Sequence, residues 1–149
     1  MRTSIYQIIA ASSLSLCAAS VYAAEIQIKL LDKSPDGDML VYYPGFVKAE
    51  VNDTIVFTNI SAGHNTHSLL VPSGAQPWQS QFDKEFRVKL EKEGVYLYGC
   101  DAHKRMGMVG VIQAGKAVNL DAARNKVSEE SASMVMNKDR FARELENVK

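Results

Sequence analysis

GVYLYGCDAHKRMGMVGVIQ, residues 94–113, is the stretch that organises this chain. Two β-prone runs, Val95 to Gly99 and Met108 to Gln113, flank a loop. That loop carries Cys100, His103 and Met108 as Cys-x2-His-x4-Met. A thiol, an imidazole and a thioether are thus gathered between two adjacent strands. His64, after the turn Ser61-Ala62-Gly63, is a fourth donor from another part of the chain.

Moving outward, the pattern stays that of strands. Ile26, Ile28 and Leu30 alternate with Gln27 and Lys29, and Phe86, Val88 and Leu90 alternate with Arg87 and Lys89. Period-two alternation marks half-buried strands. Met39 to Tyr43, Phe46 to Val51, Thr54 to Asn59 and His67 to Val71 add further short runs. Turn signals such as Ser34-Pro35-Asp36-Gly37 and Asn52-Asp53 separate them. Seven to eight short strands at this spacing predict an all-β, antiparallel sandwich. Strand patterning ends near Gly115. Beyond it, Asn119 is placed to cap a helix from Leu120 to about Val127. A second helix is expected from about Ser133 to Val148, with Phe141, Leu145 and Val148 on one face. That stripe suits docking on the sandwich. The expected organisation is therefore a segment 1–23, a sandwich 24–116 and a packed helical extension 117–149.

The first 23 residues read as a signal peptide. They hold one charge, Arg2, and no acid, followed by an apolar run from Ile8 to Val21. Val21-Tyr22-Ala23 sets small side chains before a cleavage site after Ala23. The run is too short to span a bilayer. Removing 23 residues from 149 leaves 126, with 16 basic and 17 acidic side chains and a charge near −1. Such a balance excludes a polycation that coats nucleic acid, and no stretch predicts membrane insertion. Only Cys100 remains of the two cysteines. A lone thiol in an oxidising compartment must pair between chains, be buried and inert, or be held by a metal.

Thiolate, thioether and two imidazoles suit copper in both oxidation states. Three strong donors in a plane with a long axial Met describe a blue-copper site. Zinc does not favour the thioether and would need His67 to complete its set. A binuclear copper centre needs a second loop cysteine. A Cys-His nucleophile pair lacks an oxyanion motif. Cys100 as a small buried hydrophobe is the bland alternative. A copper-delivery module without a redox role is a further one, though such proteins tend to be rich in Met or His and this chain has three histidines.

The sequence resembles the cupredoxins, and among them most closely the pseudoazurins. The likeness lies in Asp36-Gly37-Asp38-Met39, Asn52-Asp53-Thr54, Gly63-His64-Asn65, Gly94-Val95-Tyr96 and MGMVGVIQ, residues 106–113. It implies a Greek-key sandwich followed by two helices. It implies one type-1 copper per chain, cycling between Cu(I) and Cu(II), held by His64, Cys100, His103 and Met108. His64 is preferred over His67, and Met108 over Met106, because the family's ligands stand at those positions. Asn65 is expected to give its backbone N–H to the Cys100 sulfur and to tie loops with its side chain. Where the family commonly has Pro, this chain has Ala102, whose N–H could reach the same sulfur. The resemblance implies a periplasmic, monomeric electron carrier rather than an enzyme. Its partners would be redox proteins such as nitrite reductase or c-type cytochromes. They would dock around His103 on Met39 and Met106, with Lys104 and Arg105 as a basic rim.

Overall fold

The computed structural model describes residues 23–149, so the expected signal peptide, apart from Ala23, lies outside the described residues. Eight strands among these residues form two sheets. They are β1 (Glu25–Lys33), β2 (Met39–Tyr43), β3 (Phe46–Ala49), β4 (Thr54–Asn59), β5 (His67–Leu70), β6 (Phe86–Lys89), β7 (Gly94–Gly99) and β8 (Val109–Ala114). One sheet has the order β2-β1-β4-β6, the other β3-β8-β7-β5. The expected antiparallel sandwich needs one correction. β1 pairs with β4 in parallel, and β3 with β8 in parallel, while the remaining neighbours are antiparallel. Between β1 and β4 the chain leaves the first sheet for β3 and then returns, which brings it back in the same direction. Alternation of side chains reports which face is buried and carries no record of strand direction.

The core between the sheets takes the inward residues of the alternating strands. Ile28, Leu30, Ile55, Phe57, Leu90, Tyr96, Tyr98 and Ile112 are almost fully buried there, with Cys100 and Met108 at one end. The rings of Tyr42 and Tyr98 meet edge-on at 4.7 Å between centroids, the arrangement the aromatic quadrupole favours. β7 and β8 are buried along their whole length. Their other face, Val95, Leu97, Val109 and Val111, packs against Ala123, Val127, Met134 and Phe141 from the C-terminal segment. That explains why Val95 to Gly99 lacks polar alternation: both faces are covered.

Two helices follow, α1 (Leu120–Ser133) and α2 (Arg140–Leu145). α1 is longer than expected and α2 shorter. Lys126 bridges to Glu129 and Glu130 along one side of α1, helping it run on past Val127. The segment that periodicity assigned to the start of a second helix is instead an extended strap. There Val135 N–H donates to Arg105 O at 2.7 Å and Asn137 Nδ2 to Met106 O at 2.9 Å. Tertiary hydrogen bonds thus replace helical ones. Phe141 is fully buried, and Leu145 and Val148 pack on the same cluster. Asn119 stands at the N-cap position, but its side chain does not cap the helix. It accepts from Val95 N–H at 2.7 Å and donates to Val95 O at 2.9 Å, fastening α1 to β7.

Candidate metal centre

β7 delivers Cys100 to one end of the sandwich, and a compact loop returns the chain to β8. Cys100 N–H donates to Met108 O at 3.1 Å. Its carbonyl accepts from His103 and Lys104 N–H at 3.1 and 2.8 Å. A single 3-10 turn, Lys104–Met106, ends at Gly107 with φ +86°, a left-handed conformation that glycine adopts without a Cβ penalty. The loop is therefore held by its own backbone, and Met108 is fully buried. His64 enters from the loop between β4 and β5. Asp83 pins that loop, its carboxylate accepting from Gly63 N–H at 2.6 Å and its N–H donating to His64 O at 2.9 Å.

These two loops bring the donors together. His64 Nδ1 lies 3.1 Å from His103 Nδ1, and Cys100 Sγ lies 3.6 Å from His103 Nδ1. Donor atoms of His64, Cys100 and His103 all fall within 4.8 Å of one another. Bonds of about 2.0–2.3 Å from one ion to imidazole nitrogen and thiolate sulfur match such separations. A soft thiolate and two imidazoles, with a buried methionine closing the same loop, are the donor chemistry of copper. Burial and the neighbouring His64 ring hold His103 below the ordinary histidine value, so its ring is neutral near pH 7 with a lone pair to offer. His64, Cys100 and Met108 are fully buried, while His103 is partly exposed.

Residues 28–115 match the model of copper-binding proteins of the plastocyanin/azurin family. The chain belongs to that family. Its relatives include the pseudoazurin of Paracoccus pantotrophus, 36% identical over 118 residues, covering 77% of this chain and 81% of the relative. The pseudoazurin of Methylorubrum extorquens is 36% identical over 124 residues, with 79% and 83% covered. The crystal structure of native pseudoazurin from Hyphomicrobium denitrificans superposes with a TM-score of 0.74 at 35% identity, covering 84% of this chain and 98% of that one. Copper is the metal of this plastocyanin/azurin fold, and the cluster of His64, Cys100 and His103 is where these residues could hold it.

Around that copper cluster, the side chain of buried Asn65 does join loops. Its Nδ2 donates to Asp101 and Ser80 O, and its Oδ1 accepts from Asp101 N–H at 2.9 Å. In this arrangement the Cys100 sulfur contacts His103, and neither the Asn65 nor the Ala102 N–H is among its partners. His67 is half-exposed, and its Nδ1 lies 2.8 Å from Asp101 Oδ1. Gln79 Nε2 also donates to Asp101. Burial alone would raise the Asp101 carboxyl, but hydrogen bonds from Gln79, Asn65 and His67 outweigh it and hold the group below its ordinary value.

Lys104 and Arg105 are turned partly toward the C-terminal segment. Lys104 Nζ lies 3.5 Å from Glu130, and Arg105 Nε donates to Ser133 O. Met39 is exposed and Met106 partly so. Two important residues escaped the sequence-based expectations. Asp101, next to Cys100, is the hub of the loop network just described. Asp32 Oδ1 lies 3.0 Å from His64 Nε2. A signal for Asp32 existed: it continues the inward parity of Ile28 and Leu30, an acid where the face is otherwise apolar. Arg140 also reaches the loop, donating through Nη1 to Gly107 O, Met39 O and Leu40 O.

Proposed function

We propose that this protein is an exported, periplasmic one-electron carrier that shuttles electrons between redox proteins. The observation that carries this reading is the convergence of His64, Cys100 and His103 donors within 4.8 Å, three-sided and largely shut off from solvent. Kinship with pseudoazurins supports it. In this reading His64, Cys100 and His103 would hold copper, and the Met108 thioether would supply a weaker fourth donor. Bound copper supplies a Cu(I)/Cu(II) couple. The protein's contribution is rigidity. The Cys100–Met108 loop is fastened by its own backbone bonds, and Asp83 fastens the His64 loop, so the donors need not move with the charge. Burial of His64, Cys100 and Met108 excludes water. His103, the ligand that reaches the surface, is the route for the electron. Asn65 fixes the two loops against each other.

Partners would be redox proteins such as nitrite reductase or c-type cytochromes. They would meet the surface around His103, formed by Met39 and Met106 with Lys104 and Arg105. The pairing of Lys104 with Glu130 leaves Arg105 as the stronger steering charge. The visible spectrum of the copper-loaded protein tests this function. An intense thiolate-to-copper band that titrates at one copper per chain and is lost in Cys100→Ser is expected. Stoichiometric copper binding without that band would instead indicate a copper-delivery module.

A further inference from the structure

We infer that Asp32 is a positioning residue for the metal centre: its carboxylate fixes the His64 ring and favours the oxidised state of the bound metal. The inference rests on the copper reading above, and the observations behind it are geometric. His64 is fully buried, with one ring nitrogen, Nδ1, facing His103 and Cys100. The opposite nitrogen, Nε2, lies 3.0 Å from Asp32 Oδ1. A carboxylate accepts only, so Nε2 carries the proton and donates it. Nδ1 is then left with its lone pair directed into the donor cluster. Carboxylate, imidazole and metal site therefore lie in series, an arrangement that fixes both the tautomer and the ring orientation of a ligating histidine.

The backbone that carries this carboxylate is held. Asp32 N–H donates to Ser61 Oγ at 3.0 Å, and Leu30 O accepts from the N–H groups of Ile60 and Ser61 at 3.1 Å each. The end of β1 is thus fastened to the loop that leads into His64. This backbone anchoring does not depend on the Asp32 side chain, so substitution there should spare the fold. Asp32 is also exposed, with 63% of its side chain accessible. Its charge acts on the metal chiefly through the His64 ring, because water and salt screen an exposed charge acting across solvent. A negative charge passed through the ligand adds to the stabilisation of Cu(II) over Cu(I).

Three variants separate the hydrogen bond from the charge. Asp32→Asn keeps an acceptor oxygen and removes the charge, Asp32→Ala removes both, and Asp36→Asn removes an exposed acid that does not touch a ligand. The metal-free protein gives the first readout. Nitrogen NMR should show a single Nε2–H tautomer of His64 in the wild type and a tautomer mixture in Asp32→Ala. With copper, both Asp32 variants should keep the thiolate band and show a midpoint potential raised above wild type. That shift should persist at high salt, and Asp36→Asn should give a smaller one that salt abolishes. Copper(II) affinity of Asp32→Ala should fall about ten-fold or more, the usual loss when a metal-bound histidine loses its outer partner. An unchanged potential and an unchanged tautomer, in proteins that keep the band, would overturn the role of Asp32 while leaving the copper site intact. Equal, salt-sensitive shifts in Asp32→Asn and Asp36→Asn would overturn it too. Loss of the band in the wild type itself would strike at the copper reading, and the tautomer measurement would still stand.

Discussion

At Cys100 the chemistry depends on how few groups reach the sulfur. It is fully buried, its neighbour in the donor cluster is His103 at 3.6 Å, and water has no access. Ala102 lies in the turn between these two residues and keeps an N–H that proline would lack. That amide is not bonded to the sulfur here, but were it to turn to the thiolate when copper is bound, it would stabilise the negative charge and disfavour Cu(II). Ala102→Pro is therefore expected to lower the midpoint potential, read by spectroelectrochemistry; a value equal to or above wild type would dismiss the role given to that amide. Asn65 acts differently, through its side chain, which exchanges hydrogen bonds with Asp101 across the two loops. Asn65→Ala leaves the buried Ser80 O and the part-buried Asp101 N–H without their partner, a loss of about 1–3 kcal/mol. Denaturant unfolding of the metal-free protein should show it.

Elements matter here because the C-terminal segment is built into the site rather than hung beside it. α1 is fastened to β7 through Asn119 and Val95. The strap after α1 bonds to Arg105 and Met106, inside the Cys100–Met108 loop. α2 then contributes Phe141 to the cluster under β7 and β8 and Arg140 to Gly107 O. Phe141→Ala should cost about 3–5 kcal/mol, the range for emptying a buried aromatic site. Because the strap and the Cys100–Met108 loop are joined, the same variant should broaden the copper signal in electron paramagnetic resonance. A destabilised variant with an unchanged spectrum would show that the helices support the sandwich without shaping the loop.

For the whole molecule, charge is distributed so that the near-neutral total hides local pairing. Glu130 on α1 faces Lys126 and Lys104. Burial would raise its carboxyl, but these two ammonium groups outweigh burial and hold it below its ordinary value. A carboxyl whose value is depressed by folding contributes stability above the ordinary carboxylate range, and that contribution is lost as pH falls through the folded-state value. Wild type should accordingly exceed Glu130→Gln in unfolding free energy at pH 7, and the gap should close as pH falls below about 4. Chemical denaturation at several pH values reads it, and a gap independent of pH would refute the pairing. Glu130→Gln should also free Lys104. Electron transfer to an acidic redox partner should then become faster at low salt, with a steeper fall as salt rises. Stopped-flow rates across ionic strength would measure it.

Much of this was legible in the chain itself. The alternation of Ile26, Ile28 and Leu30, and of Phe86, Val88 and Leu90, determined strands and their buried faces, because period-two patterning is a local property. The Cys-x2-His-x4-Met spacing gathered three donors in one loop, since a loop that short cannot separate them. Strand direction was not legible, because the parallel pairs β1–β4 and β3–β8 depend on where the chain crosses between sheets. The strap at residues 134–139 was not legible either, because its hydrogen bonds go to residues some thirty positions away. The same holds for Asp32 and His64, which are 32 residues apart and meet only when β1 is laid beside β4. Sequence determined which atoms were available to a metal. Tertiary structure decided what stands behind them, since a hydrogen bond across two strands forms only after the sheet has brought them together.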